Sequence, residues 1–527
     1  DYIASIVSLD GSTDNGQLIV YSIQDKKIIL NIEIASIQKG VLWFSNSQVM
    51  YTHPLSGSHG TTLIIQDLKT QQKQQFINFG FVSYSDWVGY TDLATDYLFL
   101  KNLKSDQQLN YKNLSITDII LEDAEYFYLK SNSSLDYNGQ ILKLAKENLA
   151  SLSVFIEKMN GYYLESFNKL KNGQFYAVYS RDSQNMLVVY SASGNKVYQM
   201  VLPDSLSVSG LEVAEGDNIY TLSVKSVFAS DNVTWKAKEA APDFSEILKQ
   251  GSKKNNLEVV TRIEYFKSKD GEDIPVRITH KKDLLITGNQ PVFMEAYGGF
   301  NIEGYLAPVF NKMKLEFIQR GGIYVGAGVR GGSERGYEWY KAGSGQNEMN
   351  TTFDVIAIAE GLVKNGYTIS KQIVLAGGSN GGYVVANAAL TSPQSFGLVI
   401  PINGVHDQLD FPSLDRWGIT WQSEYLNPYD AKDFNSIYTR APLEINSTAS
   451  DKPFFFIVNG ESDSRVNKVH SYKLKAKLDE IWPGQSILFS VNHAGHGATS
   501  SYLLDDIGAE ASAHVWSEIF THTGLQF

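Results

Sequence analysis

A glycine-rich turn holds the serine best placed for chemistry in this chain. The segment Gly377–Gly382 reads Gly-Gly-Ser-Asn-Gly-Gly and lies between an apolar stretch predicted as a strand, 372–376, and a predicted helix, 383–390. A serine in such a sharp strand-to-helix turn presents its hydroxyl at the C-terminal edge of a sheet, and the N–H of the next residue points to where an oxyanion would form. Ser379 is therefore the candidate nucleophile, and Asn380 supplies the candidate oxyanion-hole amide. The alternative is a glycine-rich turn without chemistry.

A serine hydroxyl is a weak nucleophile without a base, so a histidine and an acid should follow it along the chain. His496 lies in a glycine-flanked loop after the predicted strand 487–491, and His493 in the same loop is its alternative. His470 opens a predicted helix and His514 lies within another, so we interpret both as ordinary surface or packing residues. His496 is the candidate base.

The candidate acid is Asp463, which follows the predicted strand 453–459. A carboxylate in such a loop can accept the N–H of the histidine, orient the ring and stabilise the imidazolium. Glu461 is a local alternative, and Asp479 and Asp505 are more distant ones. Position alone favours Asp463 without excluding the others.

Composition limits the classes of protein to which the chain can belong. Its 527 residues are 43% hydrophobic and 19% charged, which is typical of a soluble protein with two large domains. A net charge of -12 argues against nucleic-acid binding. The sequence contains no run of roughly 18 apolar residues, so no membrane span is predicted. The absence of cysteine excludes disulfides, thiolate catalysis and zinc–thiolate sites. It fits a cytoplasmic location, with the bacterial periplasm as the alternative.

The two halves of the chain differ in their patterns. Residues 1–250 contain short strands rich in Val, Ile, Tyr and Phe, bounded by turn residues, which at this length favours a β-propeller of four-stranded blades. A polar segment at 248–257 separates them from residues 251–527, where strands and helices alternate. This alternation predicts a parallel sheet with helices on both faces. The strands of the first half are predicted at 17–23, 27–34, 41–44, 49–53, 62–68, 174–180 and 186–191.

Individual elements of the second half can be bounded from the same patterns. Asn350 or Thr351 can cap a helix that runs through residues 356–363 and ends at Gly366. Another helix is predicted at 469–478. The remaining strands are predicted at 291–296 and 322–327.

The second half contains five recognisable motifs, which are Glu295–Asn301, Val329–Gly336, Gly377–Gly382, Asp463–Val466 and Gly495–Gly497. In their order and spacing, over about residues 258–527, they resemble the prolyl oligopeptidase family of serine peptidases. The resemblance implies an α/β-hydrolase domain and a seven-bladed β-propeller over its active site. We expect the chain to enter that propeller part-way, with one blade or more absent.

The resemblance also implies roles for individual residues. It assigns Ser379 as nucleophile, His496 as base and Asp463, in preference to Glu461, as acid. It further implies that Tyr297 donates its hydroxyl to the oxyanion beside the Asn380 N–H, where two donors stabilise the developing charge. Without the family, Tyr297 would be interpreted as an aromatic at the end of a strand.

A specificity pocket is implied in the same way. Trp421 resembles the tryptophan on which the substrate's proline ring stacks, and Arg465 resembles the arginine that binds a substrate carbonyl. Considered alone, Trp421 would be a core residue and Arg465 part of a surface ion pair. The further walls of the pocket implied by the resemblance are Phe300, Val405 and Tyr425.

These observations predict a monomeric serine peptidase that cleaves short peptides after proline through an acyl-enzyme. No metal or cofactor is expected, because the histidines show no clustered ligand spacing. The segment Trp421–Pro428 is closer to less studied bacterial members of the family, which leaves other specificities open: aminopeptidase, acylaminoacyl peptidase or esterase. A non-enzymatic binding platform with an inactive hydrolase domain is the third hypothesis.

Overall fold

The computed structural model describes most of the second half of the chain and a large part of the first. The described residues are 2–8, 16–34, 42–43, 46–54, 61–77, 82–84, 87–92, 97–102, 105, 107–112, 116–133, 136–213, 219–226, 230–236, 244, 249, 256–308, 310–497 and 509–526. Most of the predicted polar segment 248–257 lies outside them, so the division of the chain near residue 250 stays a prediction. None of the described helices is long and apolar enough to cross a membrane.

Antiparallel sheets of three or four strands follow one another along the first half. The first sheet contains β1 (Tyr2–Ser8), β2 (Gly16–Ser22) and β3 (Lys27–Ile34). The second contains β4 (Leu42–Trp43), β5 (Gln48–Pro54), β6 (Thr61–Asp67) and β7 (Lys73–Ile77), and the third contains β8 (Val82–Tyr84), β9 (Trp87–Asp92), β10 (Tyr97–Asn102) and β11 (Gln108–Lys112).

Three more sheets complete this series. The fourth contains β12 (Ile116–Glu122), β13 (Tyr126–Ser133), β14 (Asp136–Ala145) and β15 (Ser153–Ile156). The fifth contains β16 (Tyr163–Lys169), β17 (Phe175–Arg181), β18 (Gln184–Tyr190) and β19 (Lys196–Val201), and the sixth contains β20 (Leu206–Val213), β21 (Ile219–Ser226) and β22 (Ser230–Lys236). The strands predicted for this half agree with the described ones to within two residues at each end.

Hydrophobic cores join the first sheet to the second, and the third, fourth, fifth and sixth sheets in succession. Alternation of apolar and polar residues gives each strand a face that must be buried, and in β2 Leu18 and Val20 are fully buried. Between the fourth and fifth sheets, Tyr128 packs with ring centroids 5.8 Å from Phe167 and 5.0 Å from Phe175. Such stacking is what the blades of a propeller require, and the closed ring of seven blades remains a prediction.

An eight-stranded sheet dominates the second half. Its spatial order is β23-β24-β26-β25-β27-β28-β29-β30, with β23, β24 and β26 pairing antiparallel and the remaining neighbours parallel. The carboxyl ends of the parallel strands therefore lie along one edge. The strands are β23 (Val259–Lys267), β24 (Asp273–Lys281), β25 (Val292–Glu295), β26 (Ile323–Ala327), β27 (Ile373–Gly378), β28 (Leu398–Ile402), β29 (Phe454–Gly460) and β30 (Ser486–Val491).

Helices cover both faces of this sheet, as the alternating pattern predicts. One hydrophobic core forms under α3, α4 and α8, and the other under α1 and α9. Residues of one strand serve both cores, since Val292 and Met294 face the first and Phe293 the second. The helices are α1 (Lys312–Gln319), α2 (Tyr337–Lys341), α3 (Met349–Lys364), α4 (Asn380–Thr391), α5 (Phe411–Leu414), α6 (Gln422–Tyr425), α7 (Ala431–Tyr438), α8 (Val469–Ile481) and α9 (Ala509–Thr523).

The predicted cap of α3 is wrong, although its end is correct. The helix begins at Met349, and Glu348 precedes it without a side-chain cap bond. Asn350 Nδ2 donates to Ala342 O and Thr351 Oγ1 donates to Arg330 O, so these side chains tie the first turn to neighbouring loops. Gly366 follows the helix with a φ of +74°, a conformation that favours glycine.

A hairpin tip joins the fifth sheet to the eight-stranded sheet. Asp182, between β17 and β18, accepts from Arg335 Nε at 2.7 Å and from the Tyr265 hydroxyl at 3.0 Å. Its backbone N–H donates to Glu334 O. Because these partners belong to β23 and to the loop before α2, the fifth sheet lies against the second half of the chain.

Candidate active site

Ser379 lies in a strained turn between β27 and α4. Its φ of 57° and ψ of -123° are rare for a residue with a side chain, and such strain collects at functional sites. The turn closes only because its neighbours are glycines: a Cβ on Gly377 would lie 2.5 Å from Gly381 O and 2.7 Å from Ala296 O. Ser379 N donates to Ile402 O at 2.8 Å, which fixes the turn on the next strand. The serine hydroxyl is thus held at the carboxyl edge of the sheet.

Asp463 and His496 meet in the loops that follow β29 and β30. His496 Nδ1 and Asp463 Oδ2 are 2.7 Å apart, and their side chains are 4% and 1% exposed. Asp463 Oδ1 also accepts from the backbone N–H groups of Arg465 and Val466, at 2.9 Å each. Because an ionised carboxylate can only accept, Nδ1 carries the proton and Nε2 is left as the basic nitrogen.

The structure places the alternative residues elsewhere. His493 is exposed, with a φ of 57°. Glu461 pairs with Lys468 and accepts from Tyr472, and these bonds lower the pKa of its carboxyl to about 2. Asp479 pairs with Lys475 on α8 at 2.5 Å. Asp505 lies outside the described residues.

The other two histidines differ in surroundings. His470 is fully buried, where its Nε2 bonds Asp415 Oδ2 at 2.8 Å and its Nδ1 accepts from Asp407 N. His514 is exposed on α9 and packs its ring on Phe489. Both places fit the packing and surface roles that the sequence indicates.

Tyr297 faces Ser379 from the loop that follows β25. Burial raises the pKa of its phenol to about 12 and the nearby Glu424 charge acts in the same direction, while Arg465 and a hydrogen bond with Ser379 oppose the shift. The phenol therefore remains a hydrogen-bond donor at physiological pH. This loop and the start of α4 together present a hydroxyl and a backbone N–H beside the serine.

The side chain of Asn380 has a function that the sequence did not reveal. Its Nδ2 donates to Tyr297 O at 2.8 Å, and its Oδ1 accepts from the Tyr425 hydroxyl at 2.7 Å. The residue that offers its backbone N–H next to the serine thus also fixes the loop of Tyr297.

The motif Val329–Gly336 supports this loop from the other side. Asn301 N donates to Gly331 O at 3.2 Å. Arg330 is held in turn by Asp354 of α3, whose oxygens accept from its backbone N–H, Nε and Nη2. A buried bidentate pair of this kind keeps the backbone of the motif rigid.

The four apolar pocket residues implied by the resemblance lie in one cluster. Phe300 and Trp421 are partly buried and pack against a core that includes Val405 and Tyr425. Tyr425 is fully buried and meets Phe300 edge to face at 5.7 Å, so it supports Phe300 from behind. Trp421 stacks on Phe411, a residue that the sequence did not single out, with centroids 6.5 Å apart. Arg465 acts electrostatically on Tyr297, which places it at the same site.

Glu424 is the second functional candidate that sequence reasoning missed. It lies between Trp421 and Tyr425, is 2% exposed, and accepts from Phe300 N at 3.0 Å. A single carboxylate in a polar stretch ordinarily faces solvent, so only its burial draws attention to it. Within the described ranges, no group of three or more His, Asp or Glu side chains could hold a metal ion.

The fold and site define an α/β-hydrolase with Ser379 in the turn between β27 and α4 and a hydrogen-bonded aspartate–histidine pair in the loops that follow β29 and β30. The model of the prolyl oligopeptidase family matches residues 308–507. Prolyl oligopeptidase A of Galerina marginata is 28% identical over 87% of this chain and 65% of its own length, and the dual function macrocyclase-peptidase POPB of Amanita bisporigera is 27% identical over 89% and 66%. The chain therefore spans slightly less than two thirds of these relatives. Residues 308–507 therefore carry a domain of the prolyl oligopeptidase family.

A solved structure supports the same fold. It comes from a study of two prolyl endopeptidases and their inter-domain dynamics, and it matches with a TM-score of 0.82 at 20% identity. The match covers 100% of this chain and 80% of that one. The agreement extends over both the series of small sheets and the eight-stranded sheet.

Proposed function

We propose that this protein is a serine peptidase that hydrolyses short peptides on the carboxyl side of proline. The observation that carries the proposal is the hydrogen bond of 2.7 Å between His496 Nδ1 and Asp463 Oδ2. It leaves His496 Nε2 as a base in a protein whose Ser379 occupies the nucleophile turn. The names of the relatives support peptide hydrolysis after proline.

The first half of the reaction forms the acyl-enzyme. Ser379 Oγ attacks the carbonyl carbon of the substrate's proline residue while His496 Nε2 takes the hydroxyl proton. The carbonyl oxygen becomes an oxyanion that accepts from the Tyr297 hydroxyl and the Asn380 N–H. His496 then gives the proton to the leaving amine, and the peptide bond breaks.

The second half restores the enzyme. Water gives one proton to His496 Nε2 and attacks the ester carbonyl, and the same two donors again stabilise the oxyanion. The proton returns to Ser379 Oγ as the ester bond breaks, which releases a carboxylate. Throughout both halves Asp463 keeps the imidazole in one tautomer and stabilises its charged form.

Proline selection is assigned to the apolar cluster. Trp421 and Phe300 are proposed to hold the pyrrolidine ring, because flat aromatic surfaces offer contact area at a small cost in side-chain entropy. Val405 and Tyr425 support these walls, and Arg465 binds a substrate carbonyl. We further propose that the small sheets form a β-propeller over the site that restricts entry to short, unfolded peptides, consistent with the contact of Asp182 with Arg335.

Hydrolysis of a blocked Gly-Pro fluorogenic amide tests this proposal. Turnover should disappear in Ser379→Ala and persist in Ser413→Ala, whose serine is exposed on α5. It should fall at least tenfold with a Gly-Ala amide. The protein could fail to hydrolyse the proline amide and still show Ser379-dependent turnover of an aryl ester or a free aminoacyl amide. That result would favour the other hydrolase specificities. A fluorophosphonate that does not label Ser379 would favour the non-enzymatic alternative.

Trp421→Ala tests the pocket. Loss of the stacking surface should raise KM for the proline amide about tenfold or more, because burial of a proline-sized apolar surface stabilises binding by about 1.5–3 kcal/mol. Turnover of a small aryl ester should change little. Phe434→Ala removes an aromatic ring that is 45% exposed on α7 and should leave both reactions unchanged.

A further inference from the structure

Glu424 is a buried acid that the proposed mechanism does not use. Its carboxyl oxygen Oε1 accepts from Phe300 N at 3.0 Å, across 124 residues of sequence. Burying a carboxyl group is unfavourable unless its hydrogen bonds compensate for the lost hydration. The burial of the Glu424 carboxyl therefore requires a structural or functional explanation. Phe300 is three residues after Tyr297, in the loop that presents the phenol to Ser379.

The loop of Tyr297 needs support from outside. Gly298, Phe300 and Asn301 have φ values of +61°, +58° and +53°, all in the left-handed region. For a residue as bulky as phenylalanine, that conformation is unfavourable and persists only where surrounding contacts impose it. The bond from Phe300 N to Glu424 restrains the backbone at the strained phenylalanine itself.

Two adjacent residues of α6 restrain the same loop. Glu424 binds Phe300 N directly, and the Tyr425 hydroxyl binds Asn380 Oδ1, while Asn380 Nδ2 binds Tyr297 O. Both lie just after Trp421, on the segment assigned to the proline pocket. The pocket and the loop that carries the phenol are therefore connected at two points.

We propose that Glu424 is a positioning residue that holds the Tyr297 hydroxyl in line with the oxyanion and couples it to the proline pocket. The inference rests on the proposed function, since it concerns the same site. Glu424 acts through Phe300 N and the loop backbone, and it does not touch the reacting atoms.

The charged surroundings of Glu424 suit this function. It faces Tyr340 and Lys341 of α2, Glu348 before α3, and Tyr297. Burial raises the pKa of its carboxyl to about 8, the bond from Phe300 opposes the shift, and the charge of Glu348 adds to it. At neutral pH the carboxyl is thus protonated, and no extra negative charge lies near the forming oxyanion.

A double-mutant cycle tests whether Glu424 acts through Tyr297. We would measure kcat and KM for the proline amide at pH 7 with Glu424→Leu and Glu424→Gln, each with Tyr297 and with Tyr297→Phe. Glu424→Leu should lower kcat about tenfold with Tyr297 and less than about twofold without it, since a coupled pair is not additive. Glu424→Gln keeps an acceptor for Phe300 N and should stay within about twofold of the parent.

Three results would overturn the inference: equal losses in both backgrounds, no loss in Glu424→Leu, or the same loss in Glu424→Gln. Glu360→Leu is the matched control, because Glu360 is exposed on α3, and it should have no effect. The cycle is interpreted only in a parent protein whose Ser379 reacts with a fluorophosphonate. Lack of labelling in the parent would defeat the proposed function itself, whereas labelling with any of the three results defeats the function of Glu424 alone.

A pH profile keeps the test independent of whether the leucine variant folds. Above about pH 8 the parent should lose kcat as the Glu424 carboxyl ionises, because a negative charge then opposes the oxyanion. Glu424→Gln cannot ionise, so its kcat should stay level over the same range. Identical profiles for the parent and Glu424→Gln would contradict the inference.

Discussion

Asp463 Oδ2 and His496 Nδ1 lie 2.7 Å apart although 33 residues separate them in the chain. The relationship follows from the sheet: β29 and β30 are parallel neighbours, and Gly460 pairs with Val491 at their carboxyl ends. The loops that leave these two strands must therefore start side by side. The acid comes from one loop and the histidine from the next.

Asp463→Asn should lower kcat for the proline amide by about 10⁴-fold with little change in KM. An amide in this place can donate to Nδ1 and so favours the wrong tautomer of His496, which leaves Nε2 protonated and unable to act as a base. Steady-state kinetics would check this. His493→Ala is the control, since His493 is exposed in the same loop, and it should retain full activity. A loss below about tenfold in Asp463→Asn would exclude Asp463 as the orienting acid.

Tyr297→Phe should lower kcat about 10²–10³-fold, because removal of one oxyanion donor has effects of that size. KM should hardly change, as the donor acts mainly in the transition state. The comparison variant is Tyr429→Phe, which removes a phenol that is 62% exposed and bonded to Asp410 at the surface. An equal effect of both variants would speak against an oxyanion function for Tyr297.

Glu334 should make the folded state less stable as pH rises. Burial raises the pKa of its carboxyl from an ordinary value of 4.5 to about 8, so the folded chain retains a proton that the unfolded chain has released. Its stabilising contribution is complete below pH 4.5 and is lost progressively as pH rises to about 8. Thermal unfolding at a series of pH values should show Tm falling across this window.

Glu334→Gln isolates this contribution. The amide keeps an acceptor for Gly304 N, which bonds Glu334 Oε1 at 2.9 Å, but it cannot ionise. Tm should therefore decrease less between pH 4.5 and 8 than in the parent. Burial also raises the pKa of the Glu348 carboxyl to about 7. Because Glu348 releases its proton in the same pH range, part of the dependence of Tm on pH should remain in Glu334→Gln. An unchanged slope in Glu334→Gln would show that Glu334 does not hold the proton.

Lys314→Met should reduce the free energy of unfolding by about 3–5 kcal/mol. Lys314 Nζ lies 2.5 Å from Glu295 Oε2, with side chains 5% and 0% exposed, so the substitution leaves a buried charge without its partner. The Tyr324 hydroxyl, bonded to the same oxygen at 2.7 Å, cannot replace the positive charge. Urea unfolding followed by tryptophan fluorescence would measure the loss.

The matched control is Lys267→Met. Lys267 pairs with Asp273 at 2.8 Å, but both side chains are more than half exposed, so the loss should stay below about 1 kcal/mol. If both substitutions had the same effect, burial would not determine the strength of the Lys314–Glu295 pair.

Local sequence patterns predicted much of the architecture because they act over short distances. The strand before Ser379 and the helix after it are predicted at 372–376 and 383–390, and they are found at 373–378 and 380–391. Strand–helix alternation likewise predicts the two-faced sheet. The predicted cap of α3 is wrong because Asn350 and Thr351 bond the carbonyls of Ala342 and Arg330, which precede the helix in the chain, and local propensity cannot anticipate these contacts.

By itself the sequence determined most element types, the sharp strand-to-helix turn at Ser379 and the chain order of the candidate serine, acid and histidine. Only the tertiary structure brought Asp463 to His496, buried Tyr425 behind Phe300 and turned Glu424 inward. These contacts span long intervals of sequence, 124 residues for Phe300 and Glu424. These contacts depend on which loop reaches which strand end. Packing of the whole chain decides this arrangement, and the periodicity of a single segment carries no information about it.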